Sequence, residues 1–186
     1  MKVVFGGSFN PPTLAHLAII QYLSKNFDEV IIIPNANDYQ KEELVDYQIR
    51  KEMVTLMIQD FSNVFISDLE NDRGFKGTFQ TLRDLNHPYF ACGEDCIEQF
   101  STWINAKILL EENNFLIFTR KSSLEKMKEK IVGNSFLKPY LGHFRLVKID
   151  FPAISSSEFR KTLDERMVCQ EVYQYIKRNQ LYQKEV

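Results

Sequence analysis

The first apolar run of the chain, residues 3–5, leads into the segment Gly6-Gly7-Ser8-Phe9-Asn10-Pro11-Pro12-Thr13-Leu14-Ala15-His16. Two glycines let the backbone approach a ligand closely, and Thr13 is a residue type that caps helices. Because a helix N-terminus presents unpaired N–H groups and a positive dipole end, this junction predicts an anion site. Thr13 and His16 are three residues apart and share one face of that end. We interpret the segment as a polyphosphate-binding loop, although His16 taken alone also fits an ordinary helical histidine.

Apolar runs recur along the chain, and each ends in turn residues, as strands buried on both faces of a sheet do. These runs are residues 3–5, 30–33, 64–69, 89–92, 115–118 and 144–149. Helical patterns lie between them, at residues 14–25, 44–59, 97–110, 156–163 and 168–178. Alternating strands and helices predict an α/β fold, with a doubly wound, Rossmann-like parallel sheet of five to six strands and helices on both faces. We expect one domain, residues 1–186, with ligands beyond the carboxyl ends of the strands.

The composition is that of a globular protein of one domain's length, with 186 residues, of which 44% are hydrophobic and 26% charged. Lys and Arg number 23 against 25 Asp and Glu, and this net charge of −2 argues against a sequence-independent nucleic-acid binder. No apolar run approaches the roughly 20 residues of a membrane span, and the early first strand leaves no room for a signal peptide. Cys92, Cys96 and Cys169 have neither zinc nor CxxC spacing, which predicts reduced thiols in a cytoplasmic protein.

A second polar segment, Ile154-Ser155-Ser156-Ser157-Glu158-Phe159-Arg160, follows the sixth apolar run and opens a helical pattern. Ser155 and Glu158 have the spacing of a capping box, so a plainly capped helix would explain the serines. Three hydroxyl groups at a helix N-terminus, with Arg160 one turn further on, also suit a phosphate group. We therefore predict a second phosphate-binding segment here.

The segment that ends at His16 resembles the (H/T)xGH motif of the HxGH nucleotidyltransferase superfamily, and residues 154–160 resemble its ISSTxxR motif. Thr13 stands where the first His is commonest in the bacterial nicotinate enzymes, Ala15 replaces Gly, and Ser157 replaces Thr. The resemblance implies that His16, Thr13 and Arg160 are catalytic and hold charge on the leaving pyrophosphate. It also implies ATP contacts from Gly6, Gly7, Ser8, Phe9, His16, Ile154, Ser155, Ser156 and Arg160.

Two middle segments resemble the bacterial nicotinate (nicotinamide) mononucleotide adenylyltransferases. Gly93-Glu94-Asp95, followed eight residues later by Trp103, is similar to the GxD…W pattern of that family. The similarity implies ATP-side contacts from Gly93 and Asp95, with Asp95 on ribose, and a pyridine ring stacked on Trp103. Residues 73–82 resemble the RxGxSYTxxTL segment, in which Thr78 matches the residue whose backbone N–H binds the nicotinate carboxylate. Gly77 replaces Tyr there, and Lys76 replaces Ser.

The resemblance extends through nearly the whole chain, with the motifs in the family's order. It implies further mononucleotide contacts from Asn10, Lys41 and Arg120, beside those of Thr78 and Trp103. Residues 168–182 match the C-terminal helix of the family and its Leu-Tyr ending, Leu181-Tyr182. Pro34, Lys41 and Arg50 have the spacing of a stretch that resembles the family's basic loop after strand 2, with Lys41 facing the mononucleotide phosphate. Taken singly, several of these residues have ordinary explanations: solvated charges for Lys41 and Arg50, a solvated strand end for Asp95 and a core residue for Trp103.

The resemblance implies adenylyl transfer from ATP to nicotinate mononucleotide, which gives deamido-NAD and pyrophosphate. A phosphate monoester is already a nucleophile, so this reaction needs no general base and no covalent residue. Mg²⁺ is expected to arrive with ATP, because no acidic cluster in the sequence suggests an all-protein metal site. The expected partners are these two substrates, with no nucleic acid and no membrane, and a homo-oligomer is possible. Alternatives are transfer to nicotinamide mononucleotide, phosphopantetheine adenylyltransferase, and a nucleotide-binding sensor without turnover, which would not need both phosphate motifs.

Overall fold

The computed structural model describes residues 1–36, 44–119, 122–150 and 152–183. The strands in these ranges are β1 (Lys2–Gly7), β2 (Glu29–Pro34), β3 (Val64–Ile66), β4 (Tyr89–Gly93), β5 (Phe115–Thr119) and β6 (Phe144–Lys148). The α-helices in these ranges are α1 (Leu14–Asn26), α2 (Tyr47–Ile58), α3 (Leu69–Arg73), α4 (Thr78–Asp84), α5 (Cys96–Gln99), α6 (Ala106–Glu112), α7 (Leu124–Gly133), α8 (Ser156–Thr162) and α9 (Gln170–Arg178). Short 3₁₀ turns lie at Phe100–Thr102, Lys138–His143 and Glu165–Met167.

The described strands form one sheet in the order β3-β2-β1-β4-β5-β6, and each neighbouring pair runs parallel. The strand order reverses between β1 and β4, which is the place where doubly wound folds bind their ligands. The pairing of β1 with β4 ends at Phe5 and Ala91, whereas Gly6 and Gly7 pair only with β2. The two central strands therefore part at their carboxyl ends and open a crevice beside the glycines.

Successive residues of the central strands point into two separate cores, because side chains alternate across a sheet. On β1, Val3 and Phe5 join one core, and Val4 joins the other. Helices α1, α2, α8 and α9 cover the first core with Ile20, Met53, Phe159 and Val172. Helices α4, α6 and α7 cover the second core with Leu82, Leu109 and Met127. The predicted doubly wound parallel sheet with helices on both faces is thus confirmed.

The strand predicted at residues 64–69 is too long, because β3 ends at Ile66 and Leu69 already begins α3. Asp68 lies at the turn, where its carboxylate accepts hydrogen bonds from the Tyr47 hydroxyl and from Lys51 Nζ, both at 2.6 Å. These bonds to α2 hold Asp68 away from the sheet. The chain therefore turns into a short helix at a point where local apolarity favoured a continued strand.

The single helix predicted over residues 97–110 is also wrong. The chain forms α5, then a 3₁₀ turn, and begins α6 only at Ala106. Trp103 between them is extended, and Asn105 has a left-handed φ of 51°, a conformation that Asn tolerates better than most residues. The interruption lets the Trp103 ring pack on Phe100 and Phe90, at 4.9 Å and 5.9 Å between ring centroids.

Among the described residues, no helix combines the length and the apolar character that crossing a membrane would need.

Candidate active site

The loop between β1 and α1, residues 8–13, is held by its own buried side chains. Phe9 adopts a left-handed φ of 47°, which turns its ring into the core, edge-on to Phe5 at 5.7 Å. Asn10 and Thr13 are also buried. The ATP contact predicted for Phe9 is therefore restricted to its main chain, since its ring belongs to the core.

His16 is bonded to the residue that caps its own helix. The Thr13 backbone N–H donates to His16 Nδ1 at 3.0 Å, and Thr13 Oγ1 lies 2.9 Å from the same nitrogen. The imidazole thus takes the place that a Glu or Gln side chain has in a usual capping box. Because a backbone N–H can only donate, Nδ1 accepts, and the neutral ring carries its proton on Nε2. The structural role of His16 and the predicted catalytic role are therefore compatible, because the first uses Nδ1 and the second would use Nε2–H.

The two predicted phosphate motifs lie against one another, although 145 to 150 residues separate their partners. Ser156 Oγ donates to the Pro11 carbonyl at 2.8 Å, and Arg160 Nη1 donates to the Asn10 carbonyl at 2.7 Å. Ser155 caps α8 by accepting the Glu158 N–H at 3.1 Å. Both serine hydroxyls therefore have structural bonds within the protein: Ser156 bonds α8 to the β1–α1 loop, and Ser155 caps α8. The Arg160 guanidinium is also bonded to the β1–α1 loop.

A cavity of about 410 Å³ opens beside β1 and β4, a volume in the range of small-molecule sites. Five of the predicted residues line it: Gly6, Gly7, Ser8, Thr78 and Trp103. The residues of its wall that the sequence interpretation missed include Asn35, Glu70, Phe75, Thr81, Cys96 and Ile104. Ser8 is therefore shared between this cavity and the loop that carries the first predicted phosphate motif.

Thr78 is the first residue of α4 and follows Gly77, whose φ of 102° is rare for residues with a side chain. A Cβ atom at Gly77 would lie 2.9 Å from Ile104 Cβ, closer than real contacts allow. Both the positive φ and the proximity of Ile104 therefore favour glycine at residue 77, where the segment that it resembles has Tyr. This packing places the loop that carries Trp103 directly beside the start of α4.

Glu70 is a buried carboxylate in the cavity wall, and its Oε1 accepts a hydrogen bond from Thr81 Oγ1 at 2.8 Å. Thr81 lies one helical turn after Thr78, so the carboxylate lies near the start of α4. In the sequence Glu70 stands among the charged residues that precede Gly74, where an acidic side chain looks solvated. Its burial depends on the packing of α3 against α4.

Arg50, for which a solvated charge is the ordinary explanation when the residue is taken singly, is fully buried. Among the described residues, its guanidinium donates to three carbonyl oxygens: Val45 at 2.9 Å, Ser8 at 2.9 Å and Asn35 at 2.7 Å. Burial lowers the pKa of Arg50 from its ordinary value. Ser8 follows β1 and Asn35 follows β2, so this side chain joins the loops after both strands. Both residues line the cavity.

The remaining predicted site residues are dispersed around the strand ends. Gly93 ends β4, and Asp95 is exposed at the start of α5, on the carboxyl edge of the sheet. Ile154 is half-buried just before α8. Lys41 and Arg120 lie outside the described residues. Within the part of the chain that the structure describes, no group of three or more His, Cys, Asp or Glu side chains could hold a metal ion.

Comparison with solved structures supports the fold. The chain superposes on a Plasmodium falciparum nicotinic acid mononucleotide adenylyltransferase complexed with NaAD with a TM-score of 0.75 at 24% identity, covering 97% of this chain and 96% of that one. A second structure, described as that adenylyltransferase complexed with APC, has a TM-score of 0.75 at 25% identity with the same coverage.

Sequence comparison identifies the family. The model of the cytidylyltransferase-like family matches residues 4–162. A probable nicotinate-nucleotide adenylyltransferase of Acholeplasma laidlawii is 37% identical over 193 aligned residues, which cover 98% of each chain. A protein of the same description from Clostridium botulinum is 32% identical, again over 98% of each chain. The chain is therefore a member of the cytidylyltransferase-like family and, within it, of the nicotinate-nucleotide adenylyltransferases.

Proposed function

We propose that this chain transfers the adenylyl group of ATP to nicotinate mononucleotide, with deamido-NAD and pyrophosphate as products. One observation carries the proposal: the loop of the first motif is bonded to the second motif through Ser156 and Arg160, and the same loop borders a cavity lined by Trp103 and Thr78. The two motifs predicted to bind phosphate therefore adjoin a cavity with an aromatic wall. The relatives described as nicotinate-nucleotide adenylyltransferases support this assignment.

The reaction is an in-line displacement at phosphorus. An oxygen of the mononucleotide 5′-phosphate forms a bond to the α-phosphorus of ATP, while the bond to the oxygen bridging to the β-phosphate breaks. No covalent intermediate is needed, so catalysis consists of positioning and of stabilising developing charge. We assign charge stabilisation on the leaving pyrophosphate to His16 Nε2–H, the N-terminal amides of α1 and the Arg160 guanidinium. Mg²⁺ enters as part of the ATP substrate, held mainly by phosphates and water.

The mononucleotide occupies the cavity in this proposal, with its pyridine ring against Trp103 and its carboxylate at the Thr78 N–H. Lys41, Arg120 and the ATP contacts of Gly93 and Asp95 stay predictions. Asn10 we reassign from ligand contact to support of the loop, because its Oδ1 accepts from the Tyr182 hydroxyl at 2.8 Å. The cytoplasmic location also stays a prediction.

Replacement of Arg160 by lysine is expected to impair the use of ATP. Lysine keeps the charge but loses the planar fork that can bond the Asn10 carbonyl and a phosphate at once. We expect kcat/KM for ATP to fall by about tenfold, the value of one charge-assisted hydrogen bond. The matched control is Arg166→Lys, since Arg166 is exposed and pairs with Asp164. Equal kinetics for the Arg160→Lys variant and this control would contradict the assigned role.

The preference for nicotinate over nicotinamide mononucleotide is expected to be at least about tenfold in kcat/KM. The reason is that a hydrogen bond from the Thr78 N–H to a carboxylate is ~1.5 kcal/mol stronger than one to a carboxamide oxygen. Thr78→Pro removes this N–H at a helix position that accepts proline, and Thr78→Ala retains it. We expect the proline variant to lose most of the preference and the alanine variant to keep it. A wild-type preference that is equal or reversed would refute the pocket assignment and leave adenylyl transfer intact.

Transfer to nicotinamide mononucleotide is the second candidate, and the buried Glu70 carboxylate in the cavity wall is the observation that favours it. A carboxylate accepts a hydrogen bond from a carboxamide and repels another carboxylate. The same side-by-side assay decides between the two mononucleotides. Pyrophosphate release on mixing ATP with either mononucleotide separates both candidates from a sensor without turnover.

A further inference from the structure

The end of the described chain makes a strained turn after α9. Gln180 and Tyr182 both have left-handed φ values, of 53° and 62°. Residues other than glycine adopt this backbone conformation at a cost in free energy. The Leu181 N–H donates to the Ile176 carbonyl at 3.0 Å, and the Gln180 N–H donates to the Lys177 carbonyl at 3.2 Å. These two hydrogen bonds together form a Schellman motif. Glycine is the usual residue at the position of Gln180. Two unfavourable backbone conformations so close together indicate that the segment is held by what it contacts.

The turn places the side chain of Tyr182 between α8 and the β1–α1 loop. Its ring lies edge-on to Phe159 of α8, with 6.2 Å between centroids and 85° between planes. Its hydroxyl donates to Asn10 Oδ1 at 2.8 Å, across 172 residues of sequence. Burial raises the pKa of Tyr182 above its ordinary value, so this hydroxyl keeps its proton throughout the neutral range. The C-terminal turn is thereby bonded to the loop that carries the first phosphate motif.

Asn10 connects this bond to the second phosphate motif. Its side chain is buried, and its carbonyl oxygen accepts the Arg160 Nη1–H at 2.7 Å. The amide side chain and the carbonyl belong to one residue, so a shift of the Asn10 backbone that follows loss of the Tyr182 bond also displaces the acceptor of Arg160. The hydroxyl of Tyr182 and the guanidinium of Arg160 are therefore linked through a single intermediate residue.

We propose that Tyr182 is a positioning residue for adenylyl transfer, which fixes Asn10 and through it the orientation of the Arg160 guanidinium toward the phosphates of ATP. The inference rests on the proposed function and assigns Tyr182 no contact with either substrate. It gives the Tyr182 hydroxyl a role that the packing of the ring on Phe159 does not explain, because phenylalanine would pack there equally well.

Tyr182→Phe tests the proposal, because it deletes one hydroxyl and keeps the aromatic contact with Phe159. We expect kcat/KM for ATP to fall about three- to tenfold, the effect of one hydrogen bond, with KM for the mononucleotide unchanged. The control is Tyr175→Phe, which removes a hydroxyl from α9 itself and should leave the kinetics unaltered. Thermal melts of both variants establish that the assay temperature lies below unfolding.

A double-mutant cycle with Arg160→Lys identifies the route of the effect. If Tyr182 acts through Arg160, Tyr182→Phe should lower kcat/KM for ATP less than twofold in the Arg160→Lys background. An undiminished effect in that background, a rise in KM for the mononucleotide as large as that for ATP, or unchanged kinetics of Tyr182→Phe in an active enzyme would each overturn the proposal. Absence of pyrophosphate release by the wild-type chain would instead overturn the proposed function, and the role of Tyr182 in it.

Discussion

We expect His16→Ala to lower kcat by a factor of about 10²–10³, which is the effect of removing one donor that stabilises transition-state charge. The tautomer set by the Thr13 N–H leaves Nε2–H as the donor of the ring, and Phe9 packs against the ring at 5.1 Å between centroids. This donor is therefore oriented before ATP binds. Steady-state kinetics measure the loss, and KM for the mononucleotide should change little.

The capping role of His16 calls for a matched variant. Alanine removes the acceptor of the Thr13 N–H as well as Nε2, so this variant should also lose about 1 kcal/mol of stability. Glutamine at the same position can accept that N–H, and His16→Gln should recover the stability without recovering kcat. Turnover close to wild type in a folded His16→Ala enzyme would refute the catalytic role. Recovery of kcat together with stability in His16→Gln would assign the whole effect to capping.

Arg50→Met is expected to lower the free energy of unfolding by about 3 kcal/mol or more, because three carbonyl groups around the fully buried guanidinium lose a charged donor at once. Methionine fills part of the space and forms none of the bonds to Val45, Ser8 and Asn35. Chemical denaturation measures the loss. Lys51→Met on the same helix is the control, since Lys51 forms a partly exposed ion pair with Asp68 and should contribute about 1 kcal/mol or less.

The same Arg50 substitution should affect binding in the cavity, because Ser8 and Asn35 lie in its wall. We expect KM for the mononucleotide to rise in the Arg50→Met protein at temperatures where it remains folded. A destabilisation no larger than that of Lys51→Met would show that the three carbonyl groups find other donors, or water, when the guanidinium is removed.

Much of the fold could be predicted because it follows from patterns that are local in the chain. Each apolar run of the sheet is a few consecutive residues, and its burial on both faces is visible in those residues alone. The caps are local as well: Thr13 precedes α1 and Ser155 precedes α8, as their residue types indicate. The elements that were predicted wrongly are those in which a distant contact overrides the local preference, as Tyr47 and Lys51 do at Asp68.

The candidate site divides in the same way. The sequence by itself determined the parallel sheet, the family and the two segments predicted to bind phosphate, because glycine and helix caps act over short stretches and the alternation of strands and helices repeats along the chain. Only the tertiary structure decided that Arg50 joins Ser8 and Asn35, that Glu70 faces the cavity, and that Tyr182 holds Asn10. These contacts join residues 15, 42 and 172 positions apart. Their partners are selected by the packing of whole helices and loops, and the free energy of that packing is not encoded in the type of any one residue.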